Sequence, residues 1–176
     1  EAYNWDHAVY MGSTVASETT AANIGSVGNL RRDPMAMKPF CGYNMGDYFA
    51  HWLAMGDKLG DKAPRVFFVN WFRKDENGRW LWPGFGENAR VLKWMTERVE
   101  GKVSAQETAI GLIPNIEDFD VSGLDVSKED MAELFSVKTD AWKAEIPDVQ
   151  NHFAQFGDKL PVRLSKQLDE LIARLG

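Results

Sequence analysis

The segment 67–100, FFVNWFRKDENGRWLWPGFGENARVLKWMTERVE, constrains this chain more than any other part of it. Residues 66–69 form a short apolar run after Pro64 without polar alternation, the pattern of a strand buried on both faces of a sheet. A loop dense in aromatic residues and glycine follows. That loop opens directly onto a helix predicted over 88–100, with Val91, Trp94, Met95 and Val99 inward and Gly101 as its stop. Trp71, Phe72, Trp80 and Phe85 can present flat faces from the loop, because a ring loses little conformational entropy when it is fixed. A helix N-terminus adds unpaired N–H groups and the positive end of a dipole, and Asn88 stands there with its side-chain amide unengaged. Rings, N–H groups and an amide together read as a slot for a planar heterocycle with carbonyl edges.

Composition narrows the class. The chain has 176 residues, enough for one medium domain or part of one, and its hydrophobic fraction of 44% is ordinary for a globular protein. Seven Trp and ten Phe supply more core than most chains of this length contain. A net charge of −6, with no run of Lys and Arg, argues against nucleic acid as a partner. The mixed-sign patches at 31–33 and 73–75 read as solvated turns. Cys41 is the only cysteine, so no intrachain disulfide can form, which fits a reducing compartment. No apolar stretch approaches the ~20 residues of a membrane helix. The three histidines, His7, His51 and His152, lack metal-ligand spacing and read as structural or exposed.

Along the chain, Ala2 and Tyr3 read as a strand end, and Asp6 as the cap of a helix reaching about Ala16. Residues 17–29 hold only Ile24 and Val27 as sizeable apolar side chains, so a mobile loop is expected there. Residues 30–33 read as a weak strand ending in a turn. Residues 44–55 give the clearest helix: Met45, Tyr48, Phe49, Trp52 and Leu53 line one face, Asn44 is the N-cap, and Gly56 is the expected terminator. A short strand is expected at 110–113 and a capped helix after Ser127, with Asp130 as the partner in the cap. Pro147 is expected to kink or divide a helical segment carrying Trp142, Ile146, Val149, Phe153 and Phe156. Leu164, Leu168, Leu171 and Leu175 make a final amphipathic helix. The order of elements predicts a mixed α/β fold with an appended helical tail.

The run GFGENA at 84–89 formally matches a dinucleotide-binding glycine motif. It lacks the strand immediately before it and the acidic residue on a second strand that the motif needs. Its glycines are better explained by backbone that approaches a flat ligand closely. The same block carries a more specific resemblance. NWFRKDENGRWLWPGFGEN, with PFCGYNMGDYFAHWL at 39–53, AYNWDH at 2–7, SETTAA at 17–22 and MAELFSV at 131–137, resembles the C-terminal part of the GTP-dependent phosphoenolpyruvate carboxykinases. The resemblance covers nearly the whole chain. It implies the last third of a larger enzyme, since the chain contains no GxxxxGK[ST] loop and no metal-ligand motif.

Several expectations come with the resemblance. Residues 1–114 would be the end of the nucleotide-binding domain, with the lid at 17–29 and the guanine-binding segment at 70–88; residues 115–176 would be a helical C-terminal subdomain. Phe72 and Phe85 would sandwich guanine, with Trp80, Gly86, Glu87 and Asn88 completing the site. Trp80 stands where relatives usually have Phe. Ser17, Glu18, Thr19, Thr20, Ala21 and Ala22 would begin the active-site lid, and Ala16 before them stands where some relatives carry Arg. Phe40 would border the substrate pocket. The implied reaction converts oxaloacetate and GTP to phosphoenolpyruvate, GDP and CO2 at the entry to gluconeogenesis, in the cytoplasm, in an enzyme that is monomeric when intact. The catalytic residues, and the ligands of Mn2+ and Mg2+, would lie upstream, so this segment alone is expected to be inactive. A rival from another class is a non-catalytic carbohydrate-binding platform built on Trp71, Trp80 and Trp82. A strand-rich fold would favour that rival.

Overall fold

The computed structural model of the chain describes residues 1–18 and 30–176. In chain order its elements are α1 (Trp5–Ser13), β1 (Ala16–Glu18), β2 (Leu30–Arg32), α2 (Met45–Leu59), α3 (Asn88–Val99), β3 (Gln106–Thr108), β4 (Gly111–Ile113), α4 (Lys128–Leu134), α5 (Thr139–Ala154) and α6 (Val162–Leu175). Both sheets are two-stranded and antiparallel, β1 with β2 and β3 with β4. The fold is mixed α/β with a helical tail. Two compact units divide it, one formed by Glu1 with Phe67–Lys138, the other by Ala2–Val66 with Thr139–Gly176. Both units are discontinuous in sequence.

In the unit of Ala2–Val66 with Thr139–Gly176, α1 packs on α2 and α6, and α5 packs on α6. The cap of α1 is Asn4, whose Oδ1 accepts the His7 N–H at 2.9 Å; Asp6 instead lies inside the first turn. The helix stops at Ser13, short of the expected Ala16, because residues 16–18 pair with β2. Helix α2 follows its apolar pattern, with Met45, Phe49 and Leu53 buried and Asn44 capping the Gly46 N–H at 2.8 Å. It runs past Gly56 to Leu59 and ends at Gly60, whose φ of +50° suits glycine. Gly56 therefore has another purpose. A Cβ there would lie 2.1 Å from Cδ1 of Trp5, the ring through which α1 rests on α2 and whose Nε1 donates to the Trp52 carbonyl at 2.7 Å. Helix propensity alone gives Gly56→Ala about 1 kcal/mol of added stability. The clash reverses that sign, since overpacking a well-filled contact costs about 1–3 kcal/mol. Urea denaturation of Gly56→Ala should show a net loss of stability, and a gain would mean that Trp5 can move aside.

Residues 66–69 do not form a strand. One backbone bond reaches them, from Ala2 N–H to the Val66 carbonyl at 2.9 Å, and Phe68 is 56% exposed. A strand needs a ladder along its length, and none is present among the described residues; the same applies to the strand end expected at Ala2 and Tyr3. Pro147 lies inside α5 without dividing it. Val149, His152 and Phe153 beyond the proline are all buried, and that burial holds the second half of the helix in place. In α6, Leu164, Leu168, Leu171 and Leu175 are buried as the periodicity predicts.

In the unit of Glu1 with Phe67–Lys138, Trp82, Trp94, Phe119 and Met131 form the core, and Trp71, Val91, Met95 and Phe135 pack around it. Trp94 is the buried face of α3, while Val99, expected inward, is 59% exposed at the last turn. Gly101, with φ +72°, ends this helix, and the Lys102 N–H closes back on the Glu97 carbonyl at 2.8 Å. Ser127 caps α4 by accepting the Asp130 N–H at 3.0 Å, as the capping pair predicts. The expected strand at 110–113 is β4, and its partner β3 was not foreseen.

Candidate functional site

The aromatic loop begins as a tight hairpin. Lys74 and Trp80 pair across it, and Leu81 N–H donates to the Arg73 carbonyl at 3.0 Å. Asp75 organises the turn: its Oδ1 accepts the Asn77 and Arg79 N–H groups, each at 2.9 Å, while Gly78 takes a φ of +80°. The Arg79 hydrogen bonds hold the Asp75 carboxyl below its usual range. Two arginines then tie the hairpin to α4. Arg79 makes a paired contact with Asp130 at 2.6 and 3.0 Å. Arg73 donates to the Leu134 and Ser136 carbonyls, to Glu133 at 3.1 Å and to the Ser136 hydroxyl. The patch read from sequence as a solvated turn is thus an anchor. Planar forks that meet carboxylates and carbonyls restrict the hairpin more than single contacts would.

On that anchored hairpin the rings sort into two groups. Trp71 and Trp82 pack inward, with ring centroids 6.4 Å apart, and Trp82 is only 8% exposed. Phe72 and Phe85 stay outside the core, at 71% and 90% exposure. Phe72 meets the edge of Trp80, centroid to centroid 5.7 Å, and the Lys74 ammonium covers the Trp80 ring at 4.1 Å. Among the described residues no ring contact joins Phe72 to Phe85. A three-tryptophan platform is absent, because two of its members are packing residues and Trp80 carries a cation against its ring.

The turn after Pro83 sets the entry to α3. Gly84 has φ +122° and ψ −169°, a region essentially restricted to glycine. A single 3-10 turn, Phe85–Glu87, follows, in which the Glu87 N–H donates to the Gly84 carbonyl at 3.1 Å and the Asn88 N–H to the Phe85 carbonyl. These two N–H groups, expected from sequence to face a ligand, are consumed inside the turn. The Phe85 and Gly86 N–H groups precede the first intrahelical acceptor. Gly86 differs from Gly84: its φ lies outside the left-handed range, and an added Cβ would meet nothing within 4 Å. Glu87 accepts Arg90 Nε at 2.5 Å, and Arg90 continues to the Asp120 carbonyl at 3.0 Å, so the Glu87 carboxylate is already engaged.

Asn88 does begin α3, but its amide is not unengaged. Its Oδ1 accepts the Trp82 Nε1–H at 2.8 Å. Sequence reading missed this bond because residue type alone does not mark Trp82 as the donor to Asn88. A Trp six residues before an Asn at a helix start is the only signal that could have suggested it.

The lid expectation falls only partly on described residues. Ser17 and Glu18 belong to β1, paired with Arg31 and Leu30 of β2, so they form a stem rather than mobile chain. Ser17 Oγ donates to the buried Asp33 at 2.7 Å. Arg32 ties the stem to α5 through Asp148 and Glu145, both at 2.6 Å, and to the Thr14 carbonyl at 2.8 Å. Thr19, Thr20, Ala21 and Ala22 lie outside the described residues. Phe40 is 83% exposed, so it is not a packing residue. Among the described residues no group of three or more His, Cys, Asp and Glu could hold a metal ion. Nor is any helix among them long and apolar enough to cross a membrane.

Comparison with known proteins agrees with the resemblance of these motifs. The family model for the phosphoenolpyruvate carboxykinase C-terminal P-loop domain matches residues 1–174. The phosphoenolpyruvate carboxykinase (GTP) of Neocallimastix frontalis is 53% identical over 174 residues, which cover 98% of this chain and 28% of that protein. The enzymes of the same name from Paenarthrobacter aurescens and Thermoplasma volcanium are 49% and 46% identical, covering 100% of this chain and 29% of each of theirs. This chain belongs to the family of GTP-dependent phosphoenolpyruvate carboxykinase C-terminal domains. It spans less than a third of the length of these relatives.

Proposed function

We propose that the chain is the C-terminal part of a GTP-dependent phosphoenolpyruvate carboxykinase, supplying guanine recognition and the active-site lid. The whole enzyme would convert oxaloacetate and GTP to phosphoenolpyruvate, GDP and CO2, a lyase reaction of gluconeogenesis carried out in the cytoplasm by a monomer. Residues 1–114 would then close the nucleotide-binding domain and 115–176 would form its helical appendage. The observation that carries the reading is the pair of rings left out of the core, Phe72 and Phe85. Phe85 directly precedes Gly86, a glycine that neither packing nor backbone conformation explains. A base needs flat apolar faces and a backbone without side chains in its way.

Stacking on Phe72 and Phe85 gives affinity without choice, since every base has a π-face. The edge must choose. Guanine presents a carbonyl acceptor beside a ring N–H donor, and adenine the reverse. N–H donors from Phe85, Gly86 and the Asn88 amide complement the carbonyl, and adenine would set donor against donor. For the lid, closure of 17–29 would exclude water from a reactive enolate, with the β1–β2 stem and Arg32 as its fixed base. Among the described residues no group of three or more His, Cys, Asp and Glu could hold a metal ion. In this reading Mn2+ and Mg2+ bind elsewhere in the enzyme, and the segment by itself has no carboxykinase activity.

The test is nucleotide titration and steady-state kinetics in the intact enzyme. Phe72→Ala should weaken GTP and ATP alike, by about 1–3 kcal/mol. Asn88→Ala should lower the GTP-over-ATP preference. Gly86→Ala should leave stability unchanged within about 0.5 kcal/mol yet raise the KM for GTP. An unchanged preference in Asn88→Ala, or undiminished GTP affinity in Phe72→Ala, would remove the guanine site from this loop.

A further inference from the structure

We propose that Trp82 is a specificity-determining positioning residue: its indole N–H holds the Asn88 amide in one orientation, so that the amide offers a ligand only its NH2 group. The inference rests on the reading of Asn88 as a base-contacting residue and adds to it the group that decides which end of that amide a base meets. An asparagine amide is ambidextrous. Rotated by half a turn, it exchanges an acceptor oxygen for a donor nitrogen at nearly the same place, and so it could satisfy either a carbonyl or an amino group. By itself such a side chain does not distinguish a 6-oxo from a 6-amino purine.

The contact with Trp82 removes that ambiguity. Trp82 Nε1 lies 2.8 Å from Asn88 Oδ1, and an indole nitrogen can only donate. The flipped amide would set NH2 against N–H, which leaves two donors facing each other with neither satisfied. Water cannot readily relieve that conflict, because Trp82 is 8% exposed and its ring is fixed among Trp94, Phe119 and Met131. The ring cannot turn away either, since Trp71 and Phe119 lie on it at centroid distances of 6.4 and 6.3 Å. Asn88 Nδ2 takes no hydrogen-bond partner among the described residues, so the donor end remains for the ligand. A buried core residue thereby sets the polarity of a half-exposed one. A carbonyl-bearing base gains a hydrogen bond, and an amino-bearing base meets a donor that cannot be exchanged for an acceptor.

The experiment is a double-mutant cycle in the intact enzyme, comparing wild type, Trp82→Phe, Asn88→Ala and the double variant with GTP, inosine triphosphate and ATP. Trp82→Phe keeps an apolar ring and deletes the donor. It should lower the GTP-over-ATP ratio of kcat/KM about 3- to 10-fold, the worth of one hydrogen bond. Inosine triphosphate, which keeps the carbonyl and lacks the 2-amino group, should follow GTP. In the Asn88→Ala background the same substitution should leave the ratio unchanged, because the amide it orients is gone. A packing effect would persist in both backgrounds, and that result overturns the proposal. An unchanged ratio in Trp82→Phe, with a lowered ratio in Asn88→Ala, overturns the positioning role while leaving the base contact standing. An unchanged ratio in Asn88→Ala removes the base contact and the inference together. Should the smaller ring cost the fold, 3-benzothienylalanine in place of Trp82 keeps the bicyclic shape without the N–H. It should reproduce the same loss of preference, and a wild-type ratio overturns the proposal.

Discussion

Phe49→Ala is expected to destabilise the chain by about 3–5 kcal/mol, the range for deleting a fully buried ring. Phe49 has no exposed surface and stands on the inward face of α2 between Met45 and Leu53. Its ring meets Phe156 edge to face, with centroids 5.2 Å apart and planes at 80°. Phe156 in turn meets His152 at 5.0 Å, so Phe49 packs against a chain of rigid rings. Rigid rings cannot collapse into a cavity as branched aliphatic side chains do, which puts the cost toward the upper end. Phe40→Ala makes a natural control: at 83% exposure it should change stability by less than about 0.5 kcal/mol. Urea denaturation of the 176-residue chain checks both. A loss below about 1.5 kcal/mol for Phe49→Ala would mean that the helices repack around the gap.

The second large effect is acid sensitivity originating at His7. This imidazole is 2% exposed, its Nδ1 accepts the Tyr3 backbone N–H at 3.1 Å, and the Tyr3 ring stacks on it at 4.6 Å. Burial first, and the charge of Arg174 second, push its pKa from the ordinary 6.5 down to about 4. The depressed value makes the neutral form the folded one. Between pH 6.5 and about 4 the unfolded chain binds a proton that the folded chain refuses, so stability rises with pH across that window. Above 6.5 the contribution is fully present. Below it, stability should fall by about 1.4 kcal/mol per pH unit, on the order of 3 kcal/mol in all. Burial lowers His152 in the same direction. Asp130 and Glu133, held below their usual range by Arg79 and Lys138 respectively, lose their contributions at lower pH. Denaturation midpoints measured from pH 8 to 4 should therefore drop well before the carboxylates titrate. The slope between 6.5 and 4.5 should flatten in His7→Gln, and a flat wild-type curve there would refute the assignment.

The candidate site was legible to the extent that its residues are local. The proposed base-contacting residues Phe72, Phe85, Gly86 and Asn88 stand in one unusual block, so their grouping could be read without the fold. Two parts were not legible. The Glu87 and Asn88 N–H groups are consumed in a 3-10 turn, which depends on the backbone path Gly84 allows. The Asn88 amide is held by Trp82, and nothing in residue type distinguishes a Trp that only packs from one that also donates a hydrogen bond. The mixed-sign patch at 73–75 likewise read as a solvated turn, because the Arg73 partner Glu133 in α4 lies 60 residues further on.

By itself the sequence determined the period-3.6 faces of α2, α3 and α6, the caps Asn44 and Ser127, the stop at Gly101, and the family to which the chain belongs. Each of these is encoded within a few residues, by side-chain spacing or by a backbone conformation that one residue type supplies. The tertiary structure decided what depends on partners distant in sequence. It carried α2 past Gly56, because that glycine makes room for Trp5. It kept α5 continuous across Pro147, because the burial beyond the proline outweighs one missing donor. It left the apolar run at 66–69 without a sheet, because a strand exists only when another strand lies alongside it.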